Sequence, residues 1–195
     1  MVCRDYFFKW VEAFPVPDQT ARATAKVLLE IVSRFGCPLS LHSDQGRNFE
    51  SNIIAEMCSF LQIKKTRTTP RNPKGNGLVE RFNRTLIQMI RAYIIMDDEW
   101  DIYLSCVTAA YRSTPQESTG LTPNMLIFGQ GVRLSCEVVY RPETLTKELT
   151  SSYGNYVEEI RSQLNKAHEI CRKSLGRASE RQKNFYDSKE QLFSW

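Results

Sequence analysis

The spacing of apolar residues along the first part of the chain predicts alternating strands and helices. Residues 1–16 hold two short apolar stretches around a polar turn, which indicates the end of one strand, a turn and a second strand. Over residues 20–35 apolar positions recur at helical spacing, and Gly36 provides a stop. Residues 39–43 then read as a short strand that ends at Asp44. This alternation favours an α/β fold.

The same alternation continues towards residue 94. We expect a helix over 52–61, capped by Ser51 or Asn52, and a strand over 64–69. The prolines and glycines of 70–77 argue against regular structure there. From 78 to 94 the apolar residues form one stripe of a helix. A different face of this helix presents an acid, an amide and a guanidinium, namely Glu80, Asn83 and Arg84.

Three further helices are predicted in the rest of the chain. The first covers 100–111, with its aromatic residues on the inner face, and the second starts at the Thr122-Pro123 pair and ends near Gly129. The third is long, because apolar residues recur every three or four positions from 156 to 175. We therefore divide the chain into a core of residues 1–130, a connector of residues 131–150 and a long basic helical extension of residues 151–195.

Composition adds limits to this picture. The 195 residues are 42% hydrophobic, enough for one buried core, and no apolar run reaches the roughly 18 to 20 residues that span a bilayer. No targeting signal is visible, so we expect an intracellular soluble protein. Six cysteines are scattered singly and only two histidines are present. We expect reduced, mostly buried thiols and no zinc in this chain.

Positive charge is concentrated in one part of the chain. Between Gln62 and Ala92 the chain has eight Lys and Arg residues and a single acidic residue, Glu80, which gives a net charge of 8 − 1 = +7. Such a cluster predicts binding to a polyanion, although a solvated cationic surface is the simpler alternative. The cationic residues in this stretch are Lys64, Lys65, Arg67, Arg71, Lys74, Arg81, Arg84 and Arg91.

Two carboxylates stand out in contrasting surroundings. Asp44 follows a strand, Glu80 lies on the basic helix, and 35 residues separate them. Ligand sites of α/β sheets gather at the carboxyl ends of strands, where Asp44 is expected. Two acids placed in this way predict a shared divalent-metal site that acts on phosphates.

Four motifs follow one another along most of residues 2–130. They are Asp5-Tyr6-Phe7-Phe8-Lys9-Trp10-Val11-Glu12-Ala13, His42-Ser43-Asp44-Gln45-Gly46, the Glu80 helix and Ser118-Thr119-Gly120-Leu121-Thr122-Pro123. In this order and at these spacings they resemble the integrase core of gypsy-type long-terminal-repeat retrotransposons, a retroviral-type integrase. The resemblance implies a ribonuclease H-like fold, a mixed sheet flanked by helices.

The resemblance also implies an activity. Family members use three acids to hold two Mg²⁺ or Mn²⁺ ions for in-line phosphoryl transfer. The nucleophile is water when the DNA end is trimmed, and then the new 3′-hydroxyl when target DNA is attacked. Element ends and target DNA are the implied partners, a homo-oligomer is the implied assembly, and the nucleus is the implied place of action.

Individual roles follow from motif matches. Asp44 matches the second catalytic and metal-binding acid and Glu80 the third. Asn83 and Arg84 match helix positions that contact the DNA end, and Asn76 matches a polar loop residue near the site. The family's usual Tyr-His-Pro-Gln is replaced by Arg71-Asn72-Pro73-Lys74, which removes an aromatic and adds two cations. Nucleic-acid contacts are expected from Lys64, Lys65, Arg71, Lys74, Asn76, Asn83 and Arg84.

The first acid of the family has no clear match. Asp5 is a possible but disfavoured candidate, because its motif follows the family's second strand whereas the first acid lies on the first strand. We therefore expect the first strand and its acid to be missing, as well as the small β-barrel that follows the long helix in the family. Asp5 then serves as a turn residue that bonds to its own backbone. His42 is expected to be a packed strand residue.

Three functions are compatible with these observations. The first is an integrase core fragment, a Mg-dependent polynucleotidyl transferase by descent that is inactive alone because the first catalytic Asp is missing. The alternative is a non-catalytic DNA-binding or assembly module derived from an integrase, in which the long helix can hold a partner. A metal nuclease of the same fold is disfavoured, because the segment 118–123 and the terminal helix are integrase-like.

Overall fold

A computed structural model describes residues 1–68, 77–93, 100–132 and 153–192. Of residues 77–80, 93, 153–155, 186 and 188–192 it describes the backbone alone. The chain forms two compact units. Unit 1 holds residues 1–4 and 11–108, and unit 2 holds residues 5–10 and 109–195. The predicted connector lies largely outside the described residues, and the predicted domain boundaries stay a prediction.

In its described residues, unit 1 contains two pairs of strands and the helices that cover them. Strands β1 and β2 are antiparallel, with Val2 opposite Ala13, whereas β3 and β4 are parallel, with Ser40 opposite Lys64. The last residues of α4 belong to unit 2. The elements are β1 Val2–Arg4, β2 Val11–Ala13, α1 Ala21–Phe35, β3 Ser40–Ser43, α2 Asn52–Phe60, β4 Lys64–Arg67, α3 Gly77–Tyr93 and α4 Trp100–Arg112.

Local signals explain where the first helices begin and end. The Thr20 hydroxyl accepts a hydrogen bond from the amide of Ala23 at 3.2 Å, which caps the start of α1. Helix α1 ends at Gly36, whose φ of 82° favours glycine. Ser51 caps α2 by accepting from the amide of Ile54. The predicted strands and helices of this region are confirmed to within a few residues at their ends.

The core of unit 1 lies between α1, α2 and the strands. Ala25 and Leu28 of α1 pack with Ile54 and Cys58 of α2, and β1 and β3 contribute inward residues to the same cluster. Helix α3 also contacts β1. Strands β1 and β3 therefore share one helical layer. Within the described residues they do not pair with each other, so each has one edge without a strand partner.

Among its described residues, unit 2 contains the end of α4, two further helices and the loop of residues 5–10. Helix α5 spans Pro123–Phe128 and helix α6 spans Tyr153–Leu192. Leu126 packs with Ala167 and Cys171 of α6, and Phe7 and Phe8 of the loop cover this cluster. The expected start at Thr122, the stop at Gly129 and the long terminal helix are confirmed.

Two expectations about burial are wrong in part. Trp100 and Tyr103 of α4 are 43% and 39% exposed, because the buried stripe of this helix follows Leu104 and Val107 and leaves its first turn at the edge of an open groove. The thiols of Cys37 and Cys106 are exposed as well, unlike that of Cys58.

Within the described part of the chain, no helix is long and apolar enough to cross a membrane.

Candidate metal and nucleic-acid site

Asp44 lies at the carboxyl end of β3. The amide of Thr68 donates to the carbonyl of Ser43 at 3.0 Å, so strand pairing continues up to the residue before Asp44. The Asp44 side chain is exposed, and its Oδ1 accepts the Gly46 amide at 3.0 Å. Its Oδ2 makes no hydrogen bond within the described residues, which leaves the lone pairs of that oxygen open to a cation.

The loop after Asp44 is held on both sides. Asn48 donates from Nδ2 to the hydroxyl of Thr24 at 2.9 Å, and Thr24 is a buried residue of α1. Gln45 donates from Nε2 to the carbonyl of Thr68 at 2.8 Å. These contacts tie the loop to α1 and to the end of β4. Sequence reasoning missed Asn48, whose partner is 24 positions away.

Gly46 has almost no room for a side chain. An added Cβ would lie 2.8 Å from Oδ1 of Asn48 and 3.0 Å from Oδ1 of Asp44. Real Cβ atoms essentially never approach another heavy atom within 3.0 Å. The glycine therefore does more than allow a tight turn, because its amide orients the carboxylate and its missing side chain makes space for that carboxylate.

His42 is not packed, contrary to expectation. Its side chain is exposed, because successive residues of a strand point to opposite faces and Leu41, its neighbour, is the one that packs into the core of unit 1. The ring Nδ1 lies 2.9 Å from the hydroxyl of Thr66, its partner across the β3–β4 pair. His42 is thus a surface residue held in one orientation.

Helix α3 places Glu80 in its first turn, although the Glu80 side chain lies outside the described residues. Arg84 is exposed, as a contact to DNA requires. Asn83 is half-buried, and its Oδ1 is buried without a hydrogen-bond partner among the described residues. It lines a groove of about 360 Å³ with residues of β1, β2, α3 and α4, among them Val2 and Leu86.

The cations of β4 differ in their partners. Lys65 Nζ lies 2.6 Å from Glu50 Oε1, and Arg67 lies 3.0 Å from the other oxygen of that carboxylate. Hydrogen bonding from Lys65, aided by Arg67, lowers the pKa of Glu50. Lys64 is exposed. Glu50 therefore balances part of the positive charge that the sequence predicts for DNA, while Arg71, Lys74 and Asn76 lie outside the described residues.

Asp5 is a turn residue, as expected. Its Oδ1 accepts the amide of Phe8 at 2.5 Å, and its own amide donates to the carbonyl of Trp10 at 2.8 Å. These bonds close the turn between β1 and β2. The carboxylate of Asp5 thus has a local structural role, and Asp5 belongs to unit 2 whereas Asp44 belongs to unit 1.

The donor set at Asp44 fits a hard divalent cation. Carboxylate oxygens are the ligands that Mg²⁺ and Mn²⁺ prefer, and the close approach of the Gly46 backbone keeps the Asp44 carboxylate in place. Among the described residues no group of three His, Cys, Asp or Glu side chains forms a metal site. Asp44 is accordingly the one predicted ligand whose side-chain geometry is described.

Comparison with known proteins identifies the family. Residues 1–73 match the model of the integrase core domain. The catalytic core domain of BIV integrase is 31% identical, with 64% of this chain and 82% of that chain aligned at a TM-score of 0.55. The chain belongs to the integrase core family. Its fold is therefore ribonuclease H-like, as the motifs predicted.

Relatives of this integrase core include retrotransposon and retroviral polyproteins. The Pol polyprotein of transposon 412 from Drosophila melanogaster is 28% identical over 187 residues, which are 93% of this chain and 15% of that protein. The chain thus spans a small part of the polyproteins that it matches. The magnesium complex of the HTLV-2 integrase core, 23% identical with a TM-score of 0.54 over 63% of this chain and 79% of that chain, shares the fold.

Proposed function

We propose that this integrase core takes part in DNA integration, with Asp44 and Glu80 as two of three carboxylates in a divalent-metal centre. The reactions are the trimming of a DNA 3′ end and the joining of that end to target DNA. The observation that carries the proposal is the exposed Asp44 carboxylate, oriented at the carboxyl end of β3 by the Gly46 amide at 3.0 Å. Family membership supports the choice of reaction.

In this proposal the side chains of the protein bind the metal ions and form no covalent bond to DNA. Bound Mg²⁺ or Mn²⁺ supplies activation of the attacking oxygen and charge stabilisation at the leaving oxygen. Asp44 offers Oδ2 to a cation, while Oδ1 stays bonded to the Gly46 amide. Glu80 is the second proposed ligand and lies in the first turn of α3. Arg84 lies one turn further along the same helix. Arg84 would then bind a phosphate of the DNA end, while Glu80 on the same helix binds the metal ion.

The third carboxylate is proposed to come from a strand between β1 and β3. Both strands rest on the α1 and α2 layer, and each has one edge without a strand partner in the described residues. An added strand would pair with both edges and turn two strand pairs into one mixed sheet. One end of the added strand would then lie beside the carboxyl end of β3, next to Asp44.

An activity experiment tests this centre. We expect little or no DNA end processing in Mg²⁺ from the 195-residue chain, because two acids leave the metal charge poorly balanced. An upstream extension that adds a strand with an acid should restore processing, and Glu80→Gln in the extended chain should abolish it while keeping the shape of the side chain. Metal-dependent activity of the 195-residue chain that is lost on Asp5→Asn would overturn the assignment.

DNA binding is proposed to use the cations of β4, of α3 and of the segment between them in the sequence. If about four of them contact phosphates, the logarithm of affinity should fall with the logarithm of salt concentration at a slope near −3 to −4. The contributors would be Lys64, Lys65, Arg71, Lys74, Arg81 and Arg84.

Arg84→Ala should make this slope shallower by about one unit, because one phosphate contact is lost. Lys173→Ala is the matched control, since Lys173 is a cation of α6 that pairs with Glu169 at 2.7 Å. Its slope should equal that of the unchanged chain. A slope of zero for the unchanged chain would refute DNA binding. Full DNA binding by an extended chain that remains inactive would support the non-catalytic module instead.

Assembly and location follow from the same proposal. A simian T-cell lymphotropic virus relative, 25% identical, was solved as an intasome, and the HTLV-2 core as a trimeric form. We infer that this integrase core also acts as a homo-oligomer on DNA, and in the nucleus. Analytical ultracentrifugation with and without a DNA end tests the assembly, and a monomer under both conditions would contradict it.

A further inference from the structure

Helix α1 carries one polar side chain in its buried stripe. The stripe includes Ala25, Val27 and Leu28, and Thr24 lies among these residues with only 3% of its surface exposed. Threonine is a weaker helix former than alanine, and a buried hydroxyl without a hydrogen bond lowers stability. The position of Thr24 therefore indicates that its hydroxyl has a specific partner.

The Thr24 hydroxyl both donates and accepts a hydrogen bond. It donates to the carbonyl of Thr20 at 3.0 Å, within its own helix, and it accepts from Nδ2 of Asn48 at 2.9 Å. The first bond uses the single hydrogen of the hydroxyl, which leaves a lone pair for the amide of Asn48. The second bond joins α1 to a segment 24 positions further along the chain.

The turn that contains Asn48 also positions Asp44. The carbonyl of Gly46 accepts the amides of Phe49 at 2.9 Å and Glu50 at 3.1 Å, which closes one turn around Asn48. The amide of Gly46 donates to Oδ1 of Asp44 at 3.0 Å. Oδ1 of Asn48 lies 2.8 Å from the place where a Cβ of Gly46 would be, so Asn48 packs against Gly46. A displacement of Asn48 therefore moves Gly46, and with it the donor to the carboxylate.

We propose that Thr24 is a positioning residue for the metal ligand Asp44 and acts through Asn48. The inference rests on the proposed function in that it concerns the same carboxylate. The path from Thr24 to Asp44 consists of hydrogen bonds of 2.9 and 3.0 Å and the packing of Asn48 against Gly46. Without the Thr24 hydroxyl, the side chain of Asn48 loses its acceptor and the Asp44 carboxylate takes up a wider range of orientations. Mg²⁺ requires near-ideal octahedral geometry whereas Ca²⁺ accepts variable geometry, so Mg²⁺ binding suffers more.

Replacing Thr24 with valine tests the inference, because valine keeps the shape of the side chain and lacks the hydroxyl. Calorimetric titration should show a Mg²⁺ affinity about tenfold lower, as for other residues that orient a metal ligand. The Ca²⁺ affinity should change by less than about twofold. Thr24→Ser keeps a hydroxyl and should bind Mg²⁺ like the unchanged chain. Equal losses for the two ions, or no loss for either, would overturn the inference.

Thr108→Val is the matched control. Thr108 is a buried threonine of α4, 4% exposed, and its hydroxyl donates to the carbonyl of Leu104 at 2.9 Å within its own helix. Within the described residues no side chain of another element donates to this hydroxyl. Thr108→Val therefore loses the same kind of helical hydrogen bond and should lower the free energy of unfolding similarly, while the Mg²⁺ affinity stays unchanged. An equal loss of Mg²⁺ affinity in both variants would contradict a specific role of Thr24.

A double variant tests whether Asn48 is the intermediate. Asn48→Ala alone should lower the Mg²⁺ affinity at least as much as Thr24→Val, since it also removes the contact with Gly46. Adding Thr24→Val to Asn48→Ala should cause no further loss, because both changes break the same hydrogen bond. Additive losses would show that Thr24 acts independently of Asn48, which would refute the proposed path.

Hydrogen exchange of the Gly46 amide gives a readout without metal. In Thr24→Val this amide should exchange about fivefold faster, because its hydrogen bond to Asp44 is no longer held in place. Thr108→Val should leave its exchange rate unchanged. An unchanged rate in Thr24→Val would overturn the inference even in a chain that binds Mg²⁺ at Asp44. Faster exchange in a chain that binds no Mg²⁺ would uphold the positioning of the carboxylate and count against the magnesium centre alone.

Discussion

Replacing Gly46 with alanine is the most direct test of how Asp44 is held. The added Cβ would meet Oδ1 of Asn48 at 2.8 Å and Oδ1 of Asp44 at 3.0 Å. Asn48 cannot easily turn away, because its Nδ2 is bonded to Thr24 of α1. The backbone of Gly46 does not have a positive φ, so alanine is disfavoured there by contact alone.

The distances give the size of the effect. Restoring ordinary contacts of about 3.4 Å requires the two oxygens to move by about 0.4 to 0.6 Å. A shift of this size would lengthen the Gly46 to Asp44 hydrogen bond beyond the usual range of about 2.7 to 3.2 Å. We expect a loss of about 1 kcal/mol in the free energy of unfolding. Residues that orient a metal ligand typically change metal affinity by roughly 10- to 100-fold, and we expect such a decrease here.

Calorimetric titration with Mg²⁺ or Mn²⁺ and urea unfolding measure the two effects. Gly131→Ala is the matched control, because an added Cβ there meets no heavy atom of the described residues within 4 Å. It should change neither quantity appreciably. If Gly46→Ala bound metal within twofold of the unchanged chain and unfolded like Gly131→Ala, the proposed positioning of Asp44 by Gly46 would be refuted.

Three further predictions concern stability. Gly176→Ala in the middle of α6 should raise the free energy of unfolding by about 0.5 to 1 kcal/mol, as urea unfolding would show, because the new Cβ meets no heavy atom within 4 Å in the part of the chain that the structure describes. Thr122→Ala should lower it by about 1 kcal/mol, because α5 loses its cap. Glu50→Gln should cost stability near pH 7, where Lys65 and Arg67 favour the charged carboxylate. Because the pKa of Glu50 is lowered from 4.5, this difference should persist down to about pH 4.5 and vanish as the pH falls further, and a difference independent of pH would contradict it.

Local signals in the sequence were sufficient for the elements and for the position of the acids. Thr20 and Gly36 mark the ends of α1 because capping involves residues that are neighbours in the chain. The assignment of Asp44 to a strand end and of Glu80 to a helix rests on the same short-range patterns. Asp5 as a turn residue was predictable for this reason too, since its partner Phe8 is three positions away.

Tertiary structure decided what surrounds these residues. His42 is exposed because it lies on the face of β3 opposite to Leu41, and the packing of β3 against α1 and α2 decides which of its faces is covered. Asn48 reaches Thr24 across 24 positions, and Lys65 reaches Glu50 across 15. Such contacts depend on how strands and helices pack, because the chain must fold before distant polar groups meet. The sequence by itself therefore determined the family and the elements on which Asp44 and Glu80 are placed, while packing determined which side chains contact or expose Asp44 and its neighbours.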